Sequence, residues 1–381
     1  MATALSQDAL ILGRNVSNFA QKNIAPLSTL HRENRFPMDI WQAMGREGFL
    51  GLSISKAYGG KGRSALDVSI AAHSLVKEGH NLGMALSFLI HQIIAHHVVE
   101  TWASENQKKR YLPNLASGKI TACLAVSEPK IGAHPKHITS TVVKTQEGYT
   151  LNGEKSYLTN GPIADLFVFI AVSNSDSVLK RFSAFMVPRN TPGLEVLAPM
   201  DIPFFKPAPH GSIRLSNCKV PAEALLGPED SAYEDIVLPV RAVEDALMMG
   251  AVTGALEKQA ICLAEALQKK GQLSDEFLKI DLGKLKSMLD TAKILSYESA
   301  SMVDSGVFHP DQNSLNLYFR HLARDYHIQL EIILKNARID KTGLLEAITN
   351  DLAASARIGG QLAKIRQMRL GAAFFLNGEK D

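Results

Sequence analysis

The periodicity of the sequence changes twice along the chain, and these changes constrain the fold more than any other feature. Between residues 119 and 225, short runs of β-branched and aromatic residues are separated by Gly, Pro and Asn, which is typical of antiparallel strands. On both sides, apolar residues recur at three- and four-residue steps, as they do along helices. The predicted strands are 120–126, 138–143, 149–152, 155–159, 166–172, 182–187 and 211–216. The pattern therefore predicts an α–β–α order.

The length of 381 residues favours more than one domain. We predict an N-terminal α-helical domain over 1–118, a middle β-domain over 119–227 and a C-terminal helical bundle over 228–381. The middle domain is expected to be an antiparallel barrel or sandwich. The bundle is expected to contain four long helices, at 236–269, 275–304, 311–338 and 342–375.

Composition and charge exclude several classes of protein. The net charge is only +3 and the basic residues are dispersed, so no nucleic-acid partner is expected. The three cysteines lie far apart, which favours neither a disulfide framework nor a zinc site. No apolar run approaches the ~18 residues of a membrane span, and the N-terminus resembles neither a signal nor a transit peptide. A cytoplasmic protein is the expectation.

The histidines of the second apolar helix are a candidate metal-ligand set. His91, His96 and His97 span one to two helical turns, but Gln92 stands where a His-Glu-x-x-His zinc helix has its Glu. We therefore expect no metal, and we interpret these residues as core or pocket histidines.

Several short motifs occur in a recognisable order. They are Ser55–Gly62, Arg110–Gly118, Ser127-Glu-Pro129, Thr159-Asn-Gly161, Ala184–Pro188 with Thr191-Pro-Gly193, and Val220-Pro221 with Leu226-Gly227. Together they resemble the acyl-CoA dehydrogenase family over most of the chain. The resemblance implies an α+β fold with an N-terminal helical domain, a central β-domain that holds the ring of FAD, and a C-terminal four-helix bundle.

The same resemblance implies a set of flavin contacts in the β-domain. Val126 and Ser127 match positions that bond the pyrimidine side of the ring, and Thr159 matches the residue that faces N5. Tyr157 takes the place of a Trp that often packs on the ring, and Leu124 stands where an aromatic residue is frequent. A donor near N1 and O2 favours the reduced, negatively charged flavin. The alternative is that 120–161 is a β-scaffold with ordinary turn chemistry.

The loop after Pro129 departs from the family pattern. Gly132 is kept in the expected pyrophosphate-binding run, but Ala133 replaces a serine and His134 an aspartate. Lys130, Lys136 and His134 are candidates to supply positive charge to phosphates, and a solvated basic loop is the alternative.

Two motifs of the family's helical bundle are also absent. The segment 269–273 replaces Arg-x-x-Phe-Gly, and Arg338–Gly343 replaces a Gly-Gly-x-Gly turn. We expect the adenine half of the cofactor site to be weakened or rebuilt.

The catalytic base is expected at Glu244. The C-terminal position at which most family members carry a Glu falls on Gly360. Glu244 stands ten residues before Gly254, the spacing of the isovaleryl type, in a run whose apolar residues predict burial. Arg241, one turn earlier, is a candidate substrate-binding residue. In the alternative, Glu244 is only a structural ion-pair partner of Arg241.

The resemblance implies FAD-dependent α,β-dehydrogenation of an acyl-CoA or another acyl thioester, with electrons passing to an electron-transfer flavoprotein. It also implies a homodimer or homotetramer. Two alternatives remain open. One is a catalytically silent scaffold or partner subunit, in a heteromer with an active paralogue. The other is a flavin oxidase or monooxygenase on the same fold.

Overall fold

The computed structural model describes residues 5–174, 180–272, 275–306 and 310–376. The chain forms two compact units: the first draws on Met1–His31, Ala65–Leu82 and Asp245–Asp381, and the second on Arg32–Ser64 and Gly83–Glu244. The helices are α1 (Gln7–Asn23), α2 (Met38–Arg46), α3 (Ala65–Gly79), α4 (Leu82–Ile93), α5 (Glu105–Ala116), α6 (Leu238–Lys269), α7 (Glu276–Asp304), α8 (Pro310–Asn336), α9 (Gly343–Arg357) and α10 (Gly360–Leu376). The predicted three-domain boundaries remain a prediction.

The C-terminal region differs from the predicted set of four helices. The fourth predicted helix, 342–375, divides into α9 and α10. Gly359 lies between them with a φ of +72°, a left-handed conformation that ends a helix readily at glycine. Helical periodicity continues across this break, so the apolar spacing alone did not reveal it.

All eight described strands belong to one sheet in the second unit. They are β1 (Ala122–Ala125), β2 (Thr141–Thr145), β3 (Gly148–Thr159), β4 (Leu166–Asn174), β5 (Arg181–Pro188), β6 (Leu194–Val196), β7 (His210–Pro221) and β8 (Leu225–Leu226). The order is β6-β7-β3-β2-β4-β5-β8, with β1 paired to β4. The pairing is mainly antiparallel, as predicted. However, β1 runs parallel to β4, and β2 pairs with β4 in parallel through Thr141 and Val172.

The predicted strands 149–152 and 155–159 form one continuous strand, β3. The residues Asn152-Gly153, between the two predicted strands, lie at an irregularity within β3, where the register with β7 shifts between Leu151 and Gly153. Gly153 has a φ of +145°, and a Cβ there would lie 2.2 Å from the Ser140 hydroxyl oxygen. Glycine accommodates both the backbone and the close approach, so the strand passes through without turning.

The helix Leu82–Glu100 consists of α4 and a π-helical continuation from Ile94 to Glu100. It is the one described helix that is long and apolar enough to cross a membrane, with a mean hydropathy of 1.5 over its best window. The expectation that no apolar run approaches the length of a membrane span was therefore wrong for this helix. However, 83% of that window is buried inside the protein, as in a core helix, so it is weak evidence for a membrane span.

The three cysteines are free thiols. Cys123 and Cys218 are buried, and Cys262 is half-buried. Burial raises the pKa of the Cys123 thiol far above its ordinary value, which favours packing rather than nucleophilic chemistry at this strand position.

Candidate functional site

The turn from Val126 to Glu128 is hydrogen-bonded to a buried lysine of β3. Lys155 Nζ donates to the Val126 carbonyl oxygen at 3.0 Å and to Glu128 Oε1 at 3.0 Å, and the lysine is fully buried. The backbone N–H of Ser156 donates to the Ser127 carbonyl oxygen at 2.8 Å. These bonds place the predicted pyrimidine-side residues, Val126 and Ser127, against the strand that carries Tyr157 and Thr159.

The carboxylate of Glu128 accepts bonds on both oxygens. Thr139 donates to Oε2 and Ser140 to Oε1, in each case through both the backbone N–H and the hydroxyl, at 2.6 to 2.8 Å. Burial alone would raise the pKa of Glu128, but the charge of Lys155 and the Ser140 and Thr139 donors lower it to about 2. Burial lowers the pKa of Lys155 to about 8 against the opposing attraction of Glu128. Both partners are therefore charged at neutral pH.

The side chain of Tyr157 is turned out of the sheet by a second irregularity in β3. The register with β7 shifts between Lys155 and Leu158, and Tyr157 has a φ of +57°, which is uncommon for a residue of this size. The residue is 58% exposed. An exposed aromatic face beside the Ser127 turn suits the stacking of a planar ring.

The hydroxyl of Thr159 meets a histidine on the neighbouring strand. Thr159 and His210 are register partners on β3 and β7, and Thr159 Oγ1 lies 3.2 Å from His210 Nε2. His210 Nδ1 lies 3.0 Å from the Ala208 carbonyl oxygen, and the residue is only 8% exposed.

Three buried polar atoms at the end of β3 have no hydrogen-bond partner among the described residues. They are Ser156 Oγ, Asn160 Oδ1 and Ser87 Oγ. Asn160 Nδ2 donates to the Ser87 carbonyl oxygen at 3.0 Å, so these two residues are neighbours. Buried polar groups are normally satisfied, so these orphaned atoms fit a site that receives a polar ligand. With the exposed Tyr157 ring, they make this end of the sheet suitable for an isoalloxazine.

The loop that follows the turn is closed by Glu128 and Gly132, which exchange backbone hydrogen bonds at 2.9 and 3.0 Å. Gly132 has a φ of +63° with open space where a Cβ would lie, so the backbone is accessible there. Lys130, His134 and Lys136 are all exposed, as both the phosphate-binding and the solvated-loop interpretations require. The predicted contacts of Gly132 and Ala133 with a pyrophosphate stay predictions.

The π-helical segment Tyr233–Val237 and the first turn of α6, which follows it, both reach this same loop. Arg241 Nη2 donates to the Ala133 carbonyl oxygen at 3.3 Å, and the Tyr233 hydroxyl donates to it at 3.4 Å. Arg241, expected to bind substrate, is thus engaged with the candidate phosphate loop. Glu244 follows one turn later and is half-buried.

The apolar run around Glu244 is buried as predicted. Val243, Ala246, Leu247 and Val252 are each 7% exposed or less. Asp245, the residue after Glu244, forms an ion pair with Arg366 at 2.5 Å. Gly360, the alternative base position, begins α10 without a carboxylate.

The histidines of the Leu82–Glu100 helix make contacts of other kinds, and the described residues contain no cluster of three His, Cys, Asp or Glu that could hold a metal. His91 is fully buried and its Nε2 lies 3.1 Å from the Leu115 carbonyl oxygen. His96 Nδ1 lies 2.9 Å from Glu100 Oε2. Burial lowers the pKa of His91 and of His97 to about 4, so both are neutral at ordinary pH.

Reasoning from the sequence missed Lys155, the role of Glu128, and His210. The strand alternation set by Tyr149 and Leu151 does place Lys155 on the inward face, and this was an available signal. His210 carried no such signal, because its contact with Thr159 depends on how β3 and β7 are paired.

Comparison with known proteins agrees with the fold. The family models for the acyl-CoA dehydrogenase N-terminal and middle domains match residues 6–119 and 123–218. An acyl-CoA dehydrogenase of Bacillus subtilis is 28% identical over 80% of this chain and 81% of its own. An L-prolyl-[peptidyl-carrier protein] dehydrogenase of Pseudomonas fluorescens is 29% identical over 74% of this chain and 75% of its own. The crystal structure of the prolyl acyl carrier protein oxidase AnaB is 26% identical, with a TM-score of 0.86 over 98% of this chain and 100% of that one.

Proposed function

Because the chain belongs to the acyl-CoA dehydrogenase family, we propose that it is an FAD-dependent dehydrogenase of acyl thioesters with Glu244 as its base. FAD, when bound, supplies the acceptor for the hydride that leaves the β-carbon. The residues that would hold its ring are Leu124, Val126, Ser127, Tyr157 and Thr159. Gly132, Ala133 and the cations of the 130–136 loop would hold its phosphates.

The protein's own part in the reaction is to remove a weakly acidic proton. Glu244 takes the α-proton of the thioester as the β-carbon loses hydride, and a Cα–Cβ double bond forms. A base for such a proton must be close and shielded from water. Glu244 is half-buried beside Val243 and Leu247, which are buried apolar residues of the same helix.

The contact between Arg241 and the Ala133 carbonyl is the observation that carries this proposal. It joins the turn of α6 that precedes Glu244 to the loop that follows Ser127. Glu244 and the ring-binding strands belong to the same compact unit of the chain. The alternative in which Glu244 serves only structure does not require this proximity.

The form of the thioester is the second question. Two of the similar proteins are named for a prolyl group held on a carrier protein, whereas the Bacillus relative is named for acyl-CoA. A carrier-bound aminoacyl thioester is therefore a second candidate substrate for the same chemistry.

The test begins with flavin uptake: the purified protein is titrated with FAD and its absorbance spectrum is recorded. The holoprotein is then mixed anaerobically with short- and branched-chain acyl-CoA thioesters and, separately, with a prolyl-loaded carrier protein. We expect one class to bleach the flavin band. Uptake of FAD without bleaching by either class would favour the silent scaffold, and failure to take up FAD would overturn the proposal. Oxygen consumption without an added acceptor would identify an oxidase.

A further inference from the structure

The contact between Thr159 and His210 has a definite hydrogen arrangement. The Ala208 carbonyl oxygen can only accept, and it lies 3.0 Å from His210 Nδ1. Nδ1 must therefore carry a hydrogen, as assigned from its partner. In the neutral imidazole the other nitrogen, Nε2, is then an acceptor. The group 3.2 Å away is the Thr159 hydroxyl, which must donate its hydrogen to Nε2.

The neutral form is the one expected at ordinary pH. Burial lowers the pKa of His210 against the opposing effect of the Ala208 carbonyl, and neither cause is an ionised side chain. Of the charged residues on β3 and β7, Lys155 pairs with Glu128, Arg214 pairs with Glu154 at 3.0 Å, and Lys219 is exposed nine residues along β7 from His210. In the segment that bridges to His210 through Met200, Lys206 pairs with Asp201 at 2.8 Å.

We propose that His210 is a positioning residue that holds the hydroxyl hydrogen of Thr159, so that Thr159 presents only lone pairs to the flavin N5. This inference rests on the proposed function for the identity of the ring, but the hydrogen arrangement exists without it. An acceptor at this position bonds the N–H of a reduced flavin and offers nothing to the bare N5 of an oxidised one. His210 therefore raises the preference of the site for the reduced cofactor.

Protonation of His210 reverses the arrangement. Nε2–H then donates to Thr159 Oγ1, and the Thr159 hydroxyl becomes free to donate to N5. The preference for the reduced flavin should thus weaken as the pH falls through the pKa of His210. A histidine that only filled space would produce no such dependence.

The first experiment uses flavin-free protein. Nitrogen-15 NMR of the imidazoles, with His210 assigned by its absence in His210→Gln, should show Nδ1 protonated and Nε2 bare at pH 7. Protonation at Nε2 instead would overturn the proposal, whatever the protein's activity. Because no cofactor is present, this outcome is independent of whether the protein binds FAD.

The second experiment measures the flavin midpoint potential from pH 5 to 8. His210→Phe should lower the ratio of reduced to oxidised flavin affinity about tenfold, as expected for one hydrogen bond. This corresponds to a fall of about 30 mV for a two-electron couple. His210→Gln, whose amide oxygen can accept from Thr159, should recover most of the potential but lose the pH-dependent break.

The controls separate positioning from a general packing defect. In a Thr159→Val background, His210→Phe should change the potential no further, because the residue through which it acts is gone. His97→Phe removes another neutral, half-buried histidine outside β3 and β7, and it should leave the potential unchanged. Equal shifts in both backgrounds, or an unchanged potential in His210→Phe, would contradict the proposal.

Discussion

Lys155 Nζ lies 3.0 Å from Glu128 Oε1, and the two side chains are 0% and 4% exposed. The pair joins the Val126–Glu128 turn to the middle of β3, so the candidate ring-binding residues on the two segments depend on it for their mutual position. A buried ion pair is costly to form, but it is costlier to break from one side. The pair therefore holds the turn to β3, and a substitution of either residue alone should be destabilising.

Removal of the lysine charge should destabilise the protein strongly. Lys155→Met leaves the Glu128 carboxylate buried without its cation, and the free energy of unfolding should fall by about 3–5 kcal/mol. Urea unfolding followed by circular dichroism measures the change. The double variant Lys155→Met with Glu128→Gln should lose less than the sum of the two single changes.

An exposed ion pair between β3 and β7 serves as a comparison for the buried Lys155–Glu128 pair. Arg214 and Glu154 lie 3.0 Å apart with the arginine 49% exposed, so Arg214→Met should cost less than about 1 kcal/mol. If Lys155→Met and Arg214→Met were equally stable, the Lys155–Glu128 ion pair would not be what holds the Val126–Glu128 turn to β3.

Glu128 should make stability depend on acid pH. Its pKa in the folded protein is about 2, below the unfolded value of about 4.3, so its stabilising contribution is present above pH 4.3 and is lost as the pH falls towards 2. The difference in unfolding free energy between the wild type and Glu128→Gln should shrink by about 3 kcal/mol over this range. Unfolding titrations at several pH values measure it, and a difference that does not vary with pH would contradict the assignment.

The base assignment predicts a specific kinetic loss. Glu244→Gln keeps the shape of the side chain but cannot take the α-proton, so flavin reduction by a thioester should slow by about 10²–10⁴-fold. Stopped-flow bleaching of bound FAD measures this rate. FAD affinity and the thermal midpoint should stay within the range of the wild type.

Asp245→Asn is the matched control, since it removes a negative charge from the adjacent residue, which pairs with Arg366. It should leave the rate of flavin reduction within about threefold. If Glu244→Gln and Asp245→Asn slowed flavin reduction to a similar extent, the loss would come from removing a negative charge on α6 and not from removing a base.

Two helical glycines in the bundle should respond oppositely to alanine. A Cβ at Gly254 of α6 would lie 2.4 Å from the His73 carbonyl oxygen of α3, whereas a Cβ at Gly283 of α7 would meet nothing within 4 Å. Gly254→Ala should therefore destabilise by about 1–3 kcal/mol through overpacking. Gly283→Ala should stabilise by about 0.5–1 kcal/mol through helix propensity. Thermal unfolding compares them, and stabilisation by both would mean that α6 and α3 can move apart at no cost.

Local patterns in the sequence were sufficient for the fold class. The apolar spacing changes from helical to strand-like at residue 119 and back after residue 225. This spacing follows the buried face of each segment, and the buried face repeats with the period of the helix or strand. Motifs such as Ser127-Glu-Pro129 identified the family. Short elements such as β6 and β8, and the break at Gly359, escaped because two or three residues, or one left-handed residue, scarcely alter a periodic pattern.

The tertiary structure decided the chemistry around these motifs. Lys155 is 27 residues from Glu128, and His210 is 51 residues from Thr159, so each contact is created by strand pairing rather than by sequence proximity. Register determines it: a shift of one residue between β3 and β7 would move His210 away from the Thr159 hydroxyl and turn the neighbouring side chains to the other face. The sequence by itself determined which segments form and to which family they belong. Only the folded chain decided which polar atoms meet, because their partners lie on strands distant in sequence.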